Sequence, residues 1–264
     1  MLQLNIAKAI KKICEENEID YFLNAGSLLG AIRHGGFIPW DDDLDIGMTR
    51  KNFEKFIKIA SSNLDEKYFL QTWDTDKKFA MPFAKIRLNG TKYIEYNSRN
   101  VDIHNGIYVD IFPYDNIPEC KFLQLVQKYK SKYYIHLLLN KSQYDYIEKN
   151  NTIKILFGII LKILSRFYSY EKLHTKLQNC MNKYNEVQCS KVVTFGGASS
   201  FEKETLLFNW IKETIDRKFE DEYFRIPKEW EKYLIHFYGD YMTPPPVEKR
   251  YEGHNIVECD LGIK

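Results

Sequence analysis

The stretch Phe37-Ile38-Pro39-Trp40-Asp41-Asp42-Asp43-Leu44-Asp45-Ile46-Gly47 places four carboxylates within five residues. Its flanks are apolar and aromatic, without the Ser, Gly or Lys that accompany a solvated acidic run. Two like charges about 4 Å apart repel by roughly 4 kcal/mol at an effective dielectric of about 20, so a fold that gathers them usually sets a cation between them. The alternation Asp43, Leu44, Asp45, Ile46 has period two. On a strand it sends Asp43 and Asp45 to one face and Leu44 and Ile46 into the core. Asp41 shares that parity, but Pro39 and Trp40 argue against an earlier strand start. Paired carboxylates suit a hard cation such as Mg²⁺, with Mn²⁺ as the alternative. A solvated acidic turn is the competing reading, and the apolar bracketing opposes it.

Upstream, Tyr21 to His34 (YFLNAGSLLGAIRH) predicts a short strand, a Gly-Ser turn and a short helix with Ser27 in its first turn. Backbone N–H groups at such a start, with the turn at Gly26 and the Ser27 hydroxyl beside them, suit a phosphate. Arg33 and His34 close the helix and are candidate donor or acceptor contacts. A strand, a Gly-Ser helix start and a strand carrying Asp-x-Asp resemble the layout of the nucleotidyltransferase superfamily. The block Asn24 to Arg50 is similar to the signature of the LicD family, which includes the fukutin-related glycan phosphotransferases. Gly106 to Pro113 (GIYVDIFP) is similar to that family's second motif, and Tyr238 to Met242 with Pro244 and Pro245 to its C-terminal one.

The resemblance implies an α+β fold: a nucleotidyltransferase-like mixed β-sheet core with flanking helices and an inserted or appended helical lobe. Along the chain this divides as 1–117 catalytic core, 118–191 helical lobe and 192–264 a segment returning to the core and closing the cleft. Tyr108 and Asp110 alternate with Ile107, Val109 and Ile111, which sets one acid opposite three apolar residues of a strand. Asp110 is therefore read as a third metal carboxylate, the role this position has in the resembling superfamily; a salt-bridging role is the alternative. Asn89 and Gly90 predict a two-residue hairpin turn between runs at Phe79–Leu88 and Thr91–Tyr96. Lys85 and Arg87 share a face of the first run, either lining the cleft as phosphate partners or marking an exposed basic edge.

Helical spacing predicts elements from Leu2 to Asn17, after an N-cap at Thr49, and over roughly 121–140, 144–169 and 171–187. Ile153 to Tyr170 is apolar with Lys154, Lys162 and Arg166 interspersed, a composition that suits either burial or peripheral contact with a membrane interface. Pro227 fits the first turn of a last helix with Trp230, Tyr233, Leu234 and Phe237 on one face and Gly239 as its stop. His104 and His254 read as surface histidines, with substrate contact as the alternative. Five scattered cysteines without Cys-x-x-Cys pairing favour free thiols and a reducing cytoplasm, and the Ile153 to Tyr170 stretch allows a peripheral place at the inner face of the membrane. A formal net charge of +2 and the absence of nucleic-acid motifs give no support to a nucleic-acid partner.

These features predict a Mg²⁺-dependent phosphotransferase moving a phospho-alcohol headgroup, phosphocholine first, from a CDP-alcohol to a hydroxyl of a cell-surface glycan or teichoic-acid precursor, with release of CMP. Asp43, Asp45 and Asp110 hold the metal, and Gly26, Ser27, Arg33, His34, Lys85 and Arg87 contact substrate. The rivals are a nucleotidyltransferase acting on a small alcohol or antibiotic, and a non-catalytic glycan- or membrane-binding module.

Overall fold

A computed structural model describes residues 2–146, 152–250 and 254–262. Helix α1 (Leu2–Glu16) buries Leu4, Ile6, Ile10 and Ile13 at helical spacing. Strand β1 (Phe22–Leu23) leads into α2 (Ala25–Arg33), then β2 (Asp45–Thr49) and α3 (Arg50–Asn63). Thr49 caps α3, its hydroxyl accepting from Asn52 N–H. There follow β3 (Tyr68–Gln71), β4 (Ala84–Leu88), β5 (Lys92–Glu95) and the long β6 (Tyr108–Ile117).

The main sheet runs β1-β2-β6-β4-β3, with β2 and β6 parallel and the other pairs along that path antiparallel. The fold is α+β with a mixed sheet. Ile46, Ile86, Val109 and Ile111 are fully buried in the cluster that also holds the inner face of α1 and Phe56 of α3. The opposite face of the same strands is left to polar and charged side chains. The expected β4–β5 hairpin does not form. Both edges of β4 are taken by β3 and β6, so β5 departs from the sheet and pairs with the C-terminal strand instead.

After β6 come α4 (Lys121–Lys141), α5 (Thr152–Ser165) and α6 (Tyr170–Met181), around a second apolar cluster that includes Leu137, Leu138, Leu161, Leu173 and Leu177. The helix expected from Tyr144 is shorter. Residues 144–146 are not helical, 147–151 lie outside the described residues, and the helix proper is α5. Among the described residues no helix is long and apolar enough to cross a membrane. The chain then returns: β7 (Lys191–Val193) pairs with the end of β6, and α7 (Phe201–Glu204), β8 (Thr205–Leu207) and α8 (Phe208–Ile211) follow. Hairpin β9 (Thr214–Phe219) and β10 (Glu222–Pro227) precedes α9 (Trp230–Tyr238), whose Tyr233, Leu234 and Phe237 are buried on the first cluster. Pro227 is the last residue of β10, opposite Thr214, rather than the first turn of α9. The last strand, β11 (Ile256–Asp260), pairs with β5 and carries the C-terminal segment back over the acidic loop.

Candidate active site

Strand register assembles the site. Asp45 on β2 pairs with Asp110 on β6, and Asp110 pairs with Lys85 on β4, so acid, acid and base lie side by side across three strands. Lys85 Nζ is 2.9 and 3.1 Å from the two Asp110 oxygens and hydrogen bonds one of them. The same ammonium lies 3.6 Å from Glu95 and 3.3 Å from the centre of the Tyr108 ring. Lys85 is buried on a central strand, which corrects the exposed-edge alternative. Arg87 is also buried, its guanidinium donating to Gln71 Oε1 and the Gly106 carbonyl.

Asp43 precedes β2 rather than lying in it, yet Leu44 and Ile46 are fully buried and Asp43 and Asp45 both line the cavity, so the period-two alternation extends beyond the strand. The backbone explains this: Asp110 N–H donates to the Leu44 carbonyl, continuing the parallel pairing backwards. Burial, then the neighbouring Asp43, Asp110 and Asp41, hold the Asp45 carboxyl well above its ordinary range. Burial and Asp41 push Asp43 up to about 7. Burial raises Asp110 to about 6 even though Lys85 opposes it.

Asp45 Oδ1 is buried and has no hydrogen-bond partner. Such an atom is costly unless something charged meets it. Oxygen donors from Asp43, Asp45 and Asp110 are of the kind a hard divalent cation takes, and the orphaned oxygen favours this set, although the three do not form a group whose ligand atoms all lie within 4.8 Å of one another. Among the described residues the group whose ligand atoms do lie that close is Asp42, Asp43 and His254. It is the weaker fit, because Asp42 is already satisfied: Oδ1 meets His254 Nδ1 at 2.9 Å, and Oδ2 accepts from the His254 N–H and the Tyr93 hydroxyl.

His254 is exposed at the surface, as its sequence context suggests, yet its ring is engaged by the acidic loop. Its bond to Asp42, followed by the nearby charges of Asp43 and Glu95, lifts the imidazole to about 9 against its burial, so it carries positive charge onto the acidic loop. Glu95, unremarked in the sequence, stays below the usual carboxylate range despite partial burial because of the neighbouring Lys85 charge. The only hint of its place was its even spacing along a polar-faced strand; pairing with β11 carried both Glu95 and His254 in.

The cavity over these groups measures about 430 Å³. Phe79, Phe83, Phe112, Tyr144 and Tyr238 give it an aromatic lining, with Phe83 and Phe112 centroids 4.5 Å apart. The loop 196–199 completes it, and a Cβ on Gly197 would lie 2.1 Å from the Glu204 carboxyl. Ala25, also in the lining, has φ +43°, a strained conformation held by the Tyr233 hydroxyl accepting its N–H. Ser27 does not line the cavity: its oxygen accepts from Asp45 N–H at 2.8 Å and ties α2 to the acidic strand. At Gly26 a Cβ would fall 2.6 Å from Asp41 Oδ2, so the glycine lets a carboxylate approach the start of α2. Arg33 donates to the Tyr241 carbonyl and lies 5.8 Å from the Trp40 ring, with exposed His34 beside it; neither lines the cavity. His104 stacks on Phe69 and links Asn89 to the Gly106 N–H, a structural role.

Residues 18–153, more than half of the chain, match the family described as LicD/FKTN/FKRP, nucleotidyltransferase domain. The chain belongs to this family. It is 29% identical over 259 residues to the lipopolysaccharide cholinephosphotransferase LicD of Haemophilus influenzae, covering 97% of this chain and 94% of that one. It is 33% identical over 101 residues to human ribitol 5-phosphate transferase FKRP, covering 37% of this chain and 19% of that one. Yeast mannosyltransferase regulator 4 matches at 25% over 115 residues, 40% of this chain and 9% of that protein. The LicD-family segment contains Asp43, Asp45, Lys85, Glu95 and Asp110; His254 and the 196–204 wall lie beyond it.

Proposed function

We propose that this chain is a divalent-metal-dependent LicD-type phosphotransferase that moves a phospho-alcohol, phosphocholine as first candidate, from a CDP-alcohol to a hydroxyl of a glycan or teichoic-acid precursor. The observation that carries the reading is the in-register meeting of Asp45 and Asp110 beside Asp43, with a buried Asp45 oxygen left unpartnered. The cholinephosphotransferase and ribitol phosphate transferase relatives support transfer of a phosphorylated alcohol. Aromatic rings beside Glu95 and Glu204 suit a quaternary ammonium better than a polyol.

Asp43, Asp45 and Asp110 would hold Mg²⁺ or Mn²⁺, which when bound offsets charge on the transferring phosphoryl group and the leaving CMP. The acceptor hydroxyl attacks the phosphorus that bears the alcohol, the bond from that phosphorus to the CMP oxygen breaks, and the hydroxyl proton passes to a carboxylate. Asp110 is the candidate acceptor of that proton, with Lys85 steadying its orientation. Lys85 and Arg87 add positive charge to the wall that meets the diphosphate.

The test incubates the protein with Mg²⁺ and CDP-choline, CDP-ribitol or CDP-glycerol, with and without candidate glycans, and measures CMP. Acceptor-stimulated CMP release supports the reading. Pyrophosphate release from a nucleoside triphosphate would assign the site to nucleotidyl transfer. Calorimetry without heat on adding Mg²⁺ and each CDP-alcohol would favour a non-catalytic module.

A further inference from the structure

Among the residues of helix α5 whose burial is described, Gly158, Leu161 and Ser165 form a narrow buried stripe, Leu161 and Ser165 each 2% exposed. Diametrically opposite, Leu156, Ile160 and Ile163 recur at i, i+4 and i+7 and face solvent, Leu156 at 60% exposure, and Phe167, in the turn just past the helix, is 77% exposed. Phe157, Ile159 and Leu164, also exposed, widen the band on either side. A water-facing helix normally carries charge there; this one offers apolar surface around most of its circumference.

Its polar positions name the occupant. Lys162, in the last turn of α5, and Arg166, in the turn that follows it, are both exposed. Neither α4 nor α5 contains an acidic residue, while α4 adds Lys121, Lys128, Lys130, Lys132 and Lys141 and a second exposed apolar run at Phe122, Leu125, Val126 and Tyr129. A second copy of the chain would bring basic helix against basic helix, so self-association is electrostatically opposed. We propose that α5 lies in the plane of an anionic lipid bilayer, its Leu156–Ile160–Ile163 stripe and the following Phe167 among the acyl chains, and Lys162 and the following Arg166 at the level of the lipid headgroups. Long basic side chains reach such a surface while their stems cover apolar area. At 14 residues α5 is about 21 Å long, too short to span the hydrocarbon and long enough to lie along it. The proposal is independent of the transfer chemistry, because it concerns surface outside the acidic cavity.

The experiment is co-sedimentation of the full chain with phosphatidylcholine vesicles and with mixed phosphatidylglycerol/phosphatidylcholine vesicles, at low and high salt. Binding to the mixed vesicles that weakens with salt is expected. Lys162→Glu and Arg166→Glu should each lower affinity at least about fivefold, and Ile160→Glu with Phe167→Glu should abolish it. Val187→Glu, at an exposed apolar residue elsewhere, should leave binding unchanged. Every substituted side chain is exposed, and circular dichroism together with unchanged turnover on a soluble acceptor verifies the fold. Failure to bind either vesicle, or binding indifferent to the α5 variants, overturns the proposal. A wild-type dimer in sedimentation velocity that the Ile160→Glu/Phe167→Glu variant converts to monomer also overturns it and gives the face to a second copy.

Discussion

Replacing Asp45 by Asn should make the metal-free protein more stable while removing its activity. Asp45 stands opposite Asp110 on the neighbouring parallel strand, a spacing of about 4.8 Å between strands, and Asp43 shares its side of the chain. One ionised neighbour at about 5 Å and an effective dielectric of about 20 repels by roughly 3 kcal/mol. Lys85 beside Asp110 and partial protonation of the cluster already remove part of that. A net gain of about 1–3 kcal/mol remains, or roughly 2–4 °C in Tm for each kcal/mol in a chain of this size. The sign follows from linkage. The folded carboxyl is held above its unfolded value, so ionisation penalises the fold increasingly as pH rises from about 4 through the folded pKa. Asp45→Asn should therefore match wild type near pH 4 and exceed it most at pH 8. Calorimetric unfolding in EDTA reads this. In Mg²⁺ the order should invert, wild type gaining stability and the variant gaining little, and CMP release by the variant should drop by roughly 10²-fold or more. A variant less stable than wild type in EDTA at pH 8, or one retaining most turnover, would refute the reasoning.

Adding Mg²⁺ at pH 6 should expel protons, since Asp43 near 7 and Asp110 near 6 are partly protonated there; titration in two buffers of different ionisation enthalpy measures the release, which Asp43→Asn should reduce. His174, stacked on Trp73 at 4.7 Å and held near 4 chiefly by burial, should favour folding above pH 6.5, with that stability lost between 6.5 and 4. Discounted for its partial contact with solvent, the effect is about 1–2 kcal/mol, and a His174→Phe variant whose urea midpoint falls just as steeply would contradict it. Arg50 is bidentate to the fully buried Asp115, so Arg50→Met should cost about 3–5 kcal/mol in urea unfolding by stranding that charge, and Arg50→Met with Asp115→Leu should recover part of the loss.

Local pattern was enough for the elements that shape the core. The apolar spacing of α1, the Thr49 cap of α3 and the alternation through Asp43–Ile46 and Ile107–Ile111 depend on neighbours a few residues apart, and the structure carries each of them. Expectations failed where an edge or a partner was decided far away in sequence. Asn89 and Gly90 made a hairpin look natural, yet β4 had no free edge to offer. Pro227 suited a helix start until β9 claimed it as a strand partner.

The acids and their parity were written in the chain, because side-chain chemistry and period-two geometry are properties of the strand itself. What meets those acids was not. The register that sets Lys85 against Asp110, the return of β11 that lays His254 on Asp42, and the loop of Gly197 that closes the cavity join residues separated by 25 to 212 positions. Such contacts arise when distant segments bury apolar surface together, and no local pattern encodes which ones meet.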